Sequence, residues 1–318
     1  MGDKVKAIGL FSGGLDSAIA ARLMMDQHIE VIAVTFKTPF AGAEWALKMG
    51  RTLGLNVRLI ECCDDYMEIV KHPRFGYGKN MNPCIDCKIF MLRKARELME
   101  QERASFVFTG EVLGQRPMSQ QIGQLKMIER ESGLQGYLLR PLSAKFLKPT
   151  IPEAKGIVDR DKLLGIRGRG RKEQIALAKR LGFTEFATPA GGCLLTDSCF
   201  SARLREALDH DEEDVELLKL GRHFRTQSGA KIVVGRNEGE NKRINEIAGK
   251  NDTLIEILDY PGPTVLLRGG DEKDRATAAS LALKYSDCSE EIARAIVRSK
   301  GKEGIIEAIR GLEARMIE

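Results

Sequence analysis

The chain has 318 residues, 43% of them hydrophobic and 30% charged, a composition that suits a globular protein with room for two cores. No apolar run reaches the length of a membrane span and the first residues lack a signal-peptide core, so a cytoplasmic protein without membrane contact is expected. The net charge of +5 is too small to dictate a partner by its sum, so the placement of charge carries the information.

From the start to about Pro141, strand-like and helix-like stretches alternate. Strands are expected over Lys6–Phe11, Val31–Phe36, Val57–Glu61, Phe106–Thr109 and Tyr137–Arg140. Helices are expected over Ser17–Gln27, Ala43–Leu53, Asp64–Lys71, Ile85–Gln101 and Met118–Glu131. This order predicts an α/β domain, a parallel sheet covered by helices, with ligands outside the carboxyl ends of the strands. A long connection from Ser143 to Gly170, rich in Lys, Arg, Gly and Pro, reads as a functional loop. Lys172–Leu181 reads as a helix, and Phe183 to Asp197 as a loop carrying Cys193. The acidic run Ala207–Glu216 reads as a boundary. Beyond it, strands at Lys231–Gly235 and Thr264–Arg268 and helices at Glu238–Ala248 and Arg275–Lys284 predict a small α+β domain. Ser286–Glu318 reads as an amphipathic helical segment.

The stretch FSGGLDS, Phe11 to Ser17, joins the first strand to the first helix. A helix N-terminus offers unpaired N–H groups and partial positive charge, and Gly13 and Gly14 let the backbone close on an anion. Ser12 and Ser17 add hydroxyls. Neither the Gly-Lys-Ser/Thr of a Walker loop nor the G-x-G-x-x-G of a dinucleotide turn is present. The segment instead resembles the SGGxDS signature of the PP-loop ATP pyrophosphatases, which cleave ATP between the α and β phosphates. That resemblance implies an adenine nucleotide alpha-hydrolase-like, Rossmann-like fold, ATP at Phe11, Ser12, Gly13, Gly14, Asp16 and Ser17, and Mg²⁺ at Asp16. Val34-Thr35-Phe36-Lys37 ends the second strand, which makes Thr35 and Phe36 candidates for the adenine-facing edge.

Seven cysteines in a cytoplasmic chain point to chemistry or metal ligation rather than disulfides. Cys84 and Cys87 form a CxxC at the start of a long helix, where thiol pKa values are lowered. Half a zinc site is all that one CxxC supplies. Cys193, in Ala190-Gly191-Gly192-Cys193, is the best third candidate. Three thiolates suit a [4Fe–4S] cluster with one iron open, and the rival is a redox pair carrying a persulfide or forming a disulfide with Cys193. Cys62, Cys63, Cys199 and Cys288 read as buried small hydrophobes.

Within the PP-loop group, Asn82-Pro83-Cys84-Ile85-Asp86-Cys87 resembles the NPxxxC segment of bacterial 2-thiouridylases. Thr109-Gly110-Glu111-Val112-Leu113-Gly114-Gln115, with Ser119-Gln120 and Arg140-Pro141-Leu142, resembles the TGExLGQ…SQ and RPL segments of 4-thiouridine synthetases. The resemblance covers Lys6 to Phe200, adds Gly110 and Gln115 to the ATP site, and assigns Cys84, Cys87 and Cys193 to a [4Fe–4S] cluster. The amino-terminal RNA-binding domains usual in 4-thiouridine synthetases do not precede the loop.

From Gly221 to Lys250 there are seven Lys or Arg against three acidic residues, which suits phosphate contacts. GRHFR and KIVVGRNEGEN resemble the RNA-binding domain of NFACT proteins, over about Leu217 to Tyr285. Arg222, Arg225, Arg236 and Asn237 are the candidate RNA contacts there, with Arg167 and Arg169 as further contacts in the first domain. The expected organisation is a PP-loop thiolation domain over 1–205, an NFACT-like domain over 217–285 and a helical segment over 286–318. The expected activity is ATP-dependent tRNA thiolation with sulfide or a persulfide carrier as sulfur donor, and a homodimer is a candidate assembly. Competing readings are a persulfide relay without a cluster, an amide-forming PP-loop ligase, and a nucleotide-sensing RNA-binding adaptor without catalysis.

Overall fold

The computed structural model describes residues 4–183, 193–212 and 214–318, and the chain divides into two units, 1–196 and 197–318. In the first unit the elements run β1 (Lys6–Leu10), α1 (Leu15–Met25), β2 (Glu30–Lys37), α2 (Glu44–Leu53), β3 (Val57–Glu61), α3 (Asp64–Lys71), α4 (Cys84–Gln101), β4 (Phe106–Thr109), α5 (Ile122–Glu131), β5 (Leu138–Leu139), α6 (Ile151–Ala154) and α7 (Lys172–Arg180). The strands form one parallel sheet in the order β3-β2-β1-β4-β5. Its central strand β1 is covered by the wholly buried Ala18, Ile19, Ala20, Ala21 and Met24 of α1. Because β1 lies between β2 and β4, the loops that leave all three strands meet at one carboxyl edge. The expected α/β architecture is what forms.

The second unit contains α8 (Ser198–Leu208), α9 (Val215–Leu218), β6 (Arg222–Arg225), β7 (Lys231–Val234), α10 (Glu238–Ile247), β8 (Thr253–Ile257), β9 (Val265–Arg268), α11 (Glu272–Lys284), β10 (Ile292–Ser299), β11 (Lys302–Ile309) and β12 (Arg315–Ile317). Its strands make a seven-stranded antiparallel sheet, β11-β10-β8-β9-β7-β6-β12. Three expectations need correction here. The segment 286–318 is not helical. Ala293, Ala295 and Val297 alternate with Arg294, Ile296 and Arg298, a period of two, and Lys300 and Gly301 are both left-handed, closing a two-residue hairpin turn. The acidic run is not a boundary either, since its Glu212 and Asp214 lie inside the second unit and pair with its basic strands, as does Glu206 just before the run.

The third correction concerns Arg225. It is 6% exposed, donates from Nε to Glu206 at 2.5 Å and from both terminal nitrogens to Glu212 at 2.7 and 3.1 Å. Lys231, 1% exposed, binds Glu206 at 2.7 Å. The cluster locks α8 to β6 and β7, so Arg225 is committed to the fold and is withdrawn from any RNA surface.

Candidate nucleotide and sulfur site

The first half of the site is the β1–α1 loop. No side chain caps α1, whose N-cap is Gly14, so the helix N-terminus is left for an anion. Ser17 Oγ donates to the Gly14 carbonyl at 2.9 Å and lies 3.3 Å from Ser12 Oγ, which shapes the loop around its glycines. Gly13 is left-handed, and a Cβ on it would sit 2.3 Å from the Trp45 carbonyl oxygen of α2. A Cβ on Gly110 would lie 2.5 Å from the Ser17 amide. Both glycines are therefore required by close backbone approach. Phe11 N donates to Val34 O at 2.8 Å, which sets the buried Thr35 and Phe36 beside the loop.

Asp16 lies in the first turn of α1. Its Oδ2 accepts from Gln115 Nε2 at 3.1 Å, while its Oδ1 is buried with no partner. Burial pushes the Asp16 carboxyl up, and Gln115, Arg171, Arg116 and Gln174 offset part of that rise. Gln174 is fully buried with neither amide atom in a well-aligned hydrogen bond, although it lies near enough to Asp16 to lower its carboxyl, and Arg171 Nε is buried without a partner. Orphaned polar atoms at one spot mark the place of a ligand that supplies the missing partners. Arg116, Arg171 and Gln174 escaped the sequence reading as nucleotide contacts. Arg171 ends the basic stretch Arg167-Gly168-Arg169-Gly170-Arg171, and α7 reaches α1 through packing that no local pattern encodes.

The second half is the cysteine cluster. Cys84 and Cys87 open α4. The loop before it is held by Asp86, whose carboxylate accepts from the Arg74 and Phe75 amides at 3.1 Å each. Asn80 Nδ2 donates to Thr196 O at 2.7 Å, and Met81 N to Leu195 O at 3.2 Å. These two bonds bring the segment after Cys193 onto the start of α4. Burial pushes the Cys87 thiol up to about 12, and the negative charge that Cys193 and Cys84 would carry adds to the rise. Cys193 is raised by burial and then by Cys84. The helix N-terminus therefore does not lower Cys87 as expected, because desolvation outweighs it. All three candidate cysteines come together. Gly191 and Gly192 lie outside the described residues. Cys62 and Cys288 are buried as expected, whereas Cys63 and Cys199 are exposed.

One turn joins the two halves. Gly114 N donates to Gln120 O at 2.7 Å, and this turn carries Gln115 and Arg116 to Asp16 and Ser119 to Cys84, whose Sγ lies 3.4 Å from Ser119 Oγ. The Arg116 charge acts on both Asp16 and Cys193. Beneath the turn, Glu111 accepts from Lys88 at 2.6 Å and from Arg140 at 3.1 Å, and Arg140 also reaches Glu129 at 3.1 Å. Burial opposes ionisation of Glu111, but the Lys88 and Arg140 charges outweigh it and hold the carboxyl at about 2. The stability this gives is complete above the ordinary value of 4.5 and is lost as the pH falls toward about 2. Glu111→Gln is expected to cost on the order of 3 kcal/mol at neutral pH, because it leaves the buried Arg140 and the part-buried Lys88 short of a carboxylate. Urea unfolding between pH 7 and 3 checks this, and the variant's stability should depend less on acid than the parent's.

Among the described residues no three His, Cys, Asp or Glu side chains close on one ion. A cuboidal cluster does not demand that, since its thiolates bind different irons, and three adjacent thiols are a fitting donor set for it. The unpartnered Asp16 Oδ1 likewise suits a hard cation such as Mg²⁺.

Of the remaining expected contacts, Arg167 and Arg169 are exposed, with Arg167 4.7 Å above the Phe146 ring. Arg222 lies 4.6 Å over Tyr285. Arg236 is paired with Glu240, and Asn237 caps α10 through its Oδ1. Among the described residues no helix is long and apolar enough to cross a membrane.

A parallel sheet whose central strand runs through a diglycine loop into an uncapped helix, next to part-buried cysteines, defines a PP-loop type of nucleotide-binding domain. Residues 2–157 match the family described as thiamine biosynthesis protein (ThiI), and residues 221–312 match the NFACT protein RNA binding domain. The first match lies within the first unit and the second match within the second unit. It is similar to a probable tRNA sulfurtransferase of Methanosarcina mazei, 35% identical over 136 residues, 36% of this chain and 30% of the relative. It is also similar to one of Thermococcus kodakarensis, 30% identical over 147 residues, 45% of this chain and 38% of the relative. It spans about a third of the length of these curated relatives. A crystal structure of a 4-thiouridine synthetase–RNA complex with bound ATP is similar over 68% of this chain and 52% of that one, at 22% identity and a TM-score of 0.41.

Proposed function

We propose that the protein is an ATP-dependent tRNA sulfurtransferase that replaces a uridine carbonyl oxygen by sulfur. The observation that carries this reading is the single turn Gly114–Gln120, which joins an anion-ready loop with orphaned Asp16, Arg171 and Gln174 atoms to a part-buried set of three cysteines. ATP would lie with its phosphates on the Ser12–Ser17 loop and the α1 N-terminus, and its adenine along Thr35 and Phe36. Mg²⁺ would take Asp16 Oδ1, and Arg116 and Arg171 would neutralise the departing pyrophosphate. The uridine oxygen attacks the α-phosphorus, pyrophosphate leaves, and a poor leaving group becomes AMP. A sulfur nucleophile then adds to the same carbon, and AMP departs with the oxygen. Cys84, Cys87 and Cys193 would hold a [4Fe–4S] cluster, which when bound supplies an open iron for sulfide. The partial burial of the cysteines would limit water at the sulfur.

An amide-forming ligase would use the same adenylation but has no use for three clustered cysteines. The test is incubation of the anaerobically prepared chain with tRNA, ATP and sulfide, followed by mass spectrometry of the nucleosides. A gain of one sulfur for one oxygen in a uridine, with one AMP per event, is expected. AMP formation without any thiolated nucleoside, under both sulfide and persulfide donors, would sink the sulfurtransferase reading.

A further inference from the structure

A cavity of about 700 Å³ opens beneath the edge strand β5, between α5 and the Ala144–Glu153 segment. That is the size of a small-ligand site. Its floor is apolar, formed by Leu125, Leu138, Leu139 and Ala144, and the exposed Phe146 stands in its wall. Lys126 and Lys148 line it and are exposed. The carboxylates in the wall are already engaged, Glu129 by Arg140 and the Gly136 amide, and Glu153 by Arg160 and Thr150. Among the described residues, Lys126, Lys145, Lys148, Arg167 and Arg169 have no carboxylate partner. Free positive charge thus lines the mouth of this cavity.

The same surface is tied to the reacting centre. Gly168 N donates to Leu113 O at 2.7 Å, and Arg167 forms a bridge with Leu113, so the basic connection rests on the turn that holds Asp16 and Cys84. Ile122, at the cavity's rim, follows that turn by two residues.

We infer that this cavity receives one unstacked nucleotide of the substrate RNA, a neighbour of the nucleotide that reacts. Its base packs on Phe146, and the phosphates on either side meet Lys126, Lys148 and Arg167. An aromatic face and apolar floor ringed by unpaired cations fit a single-stranded nucleotide, whereas a duplex cannot enter and a free anion has no use for the floor. The inference rests on the RNA-modifying reading above, and its test is independent of the chemistry.

Binding of an unmodified tRNA transcript to the full chain is measured without ATP or sulfur donor over a range of salt. Phe146→Ala is expected to weaken binding about tenfold, the loss of one base–aromatic stack. Lys126→Ala with Lys148→Ala is expected to lower the slope of log affinity against log salt by about 1.4, at ~0.7 for each single-strand phosphate contact. All three side chains are exposed, so thermal unfolding should be unchanged. Affinity within twofold of the parent and an unaltered slope in both variants would overturn the inference. Weakened binding in a chain that never forms thiouridine would sink the proposed activity and leave this RNA site standing.

Discussion

Asp16→Asn is expected to reduce pyrophosphate release in the presence of tRNA by at least about a hundredfold while leaving the fold as stable as before or more so. The argument starts from burial. Asp16 lies in the first turn of α1 with Oδ1 unpartnered and its carboxyl pushed up by desolvation. A folded value above the unfolded one means that the ionised carboxylate costs stability at neutral pH, so the neutral amide removes a penalty. Asparagine can still accept from Gln115, which preserves the turn. What it cannot do is bring a negative oxygen to a magnesium ion on the pyrophosphate, and losing one preorganised electrostatic partner costs ~10²–10³ in rate. Activity and stability are therefore predicted to move in opposite directions. Labelled pyrophosphate release and urea unfolding of the same preparation decide it. A variant within tenfold of the parent rate would show that Asp16 does not hold the metal.

The loop and the sheet were legible because both are written locally. A short apolar strand, two glycines and a helix start sit within a dozen residues, and the strand positions followed from the same alternation. The cluster was half legible. CxxC announces itself, but what carries Cys193 to it is Asn80 binding Thr196, a bond across 116 positions. Arg171 and Gln174 were hidden for the same reason, since their approach to Asp16 depends on α7 packing against α1. The second unit misled through charge. A run with Arg222, Arg225, Lys231 and Arg236 looks like a nucleic-acid face, yet Arg225 and Lys231 are answered by Glu206 of α8 and by Glu212 of the acidic run. The terminal segment has helix-compatible composition, and only its period-two alternation of Ala and Val with Arg and the Lys300-Gly301 turn mark it as a hairpin.

The second large effect concerns iron. Protein reconstituted anaerobically with iron and sulfide is expected to bind about four irons per chain, and Cys193→Ala to lose nearly all of them, as the ligand count of a [4Fe–4S] cluster implies. The physical reason lies in how the thiols are held. Burial raises Cys87 and Cys193, and the charge of the neighbouring thiolates adds to the rise, so both thiols are held protonated until a cation binds them. Binding of a cation to the thiolates offsets the loss of those protons. Removing Cys193 leaves a bare CxxC, which is too few ligands for a stable cluster. Cys63→Ala changes an exposed thiol on the same unit and should keep the full iron content, which separates ligation from general thiol chemistry. Iron analysis with electron paramagnetic resonance of the reduced protein reads the outcome without any assay of activity. Cys193→Ala that kept four irons would remove it from the ligand set. A parent chain that bound no iron, yet thiolated tRNA fully from a persulfide donor, would replace the cluster by a persulfide relay through the same three cysteines.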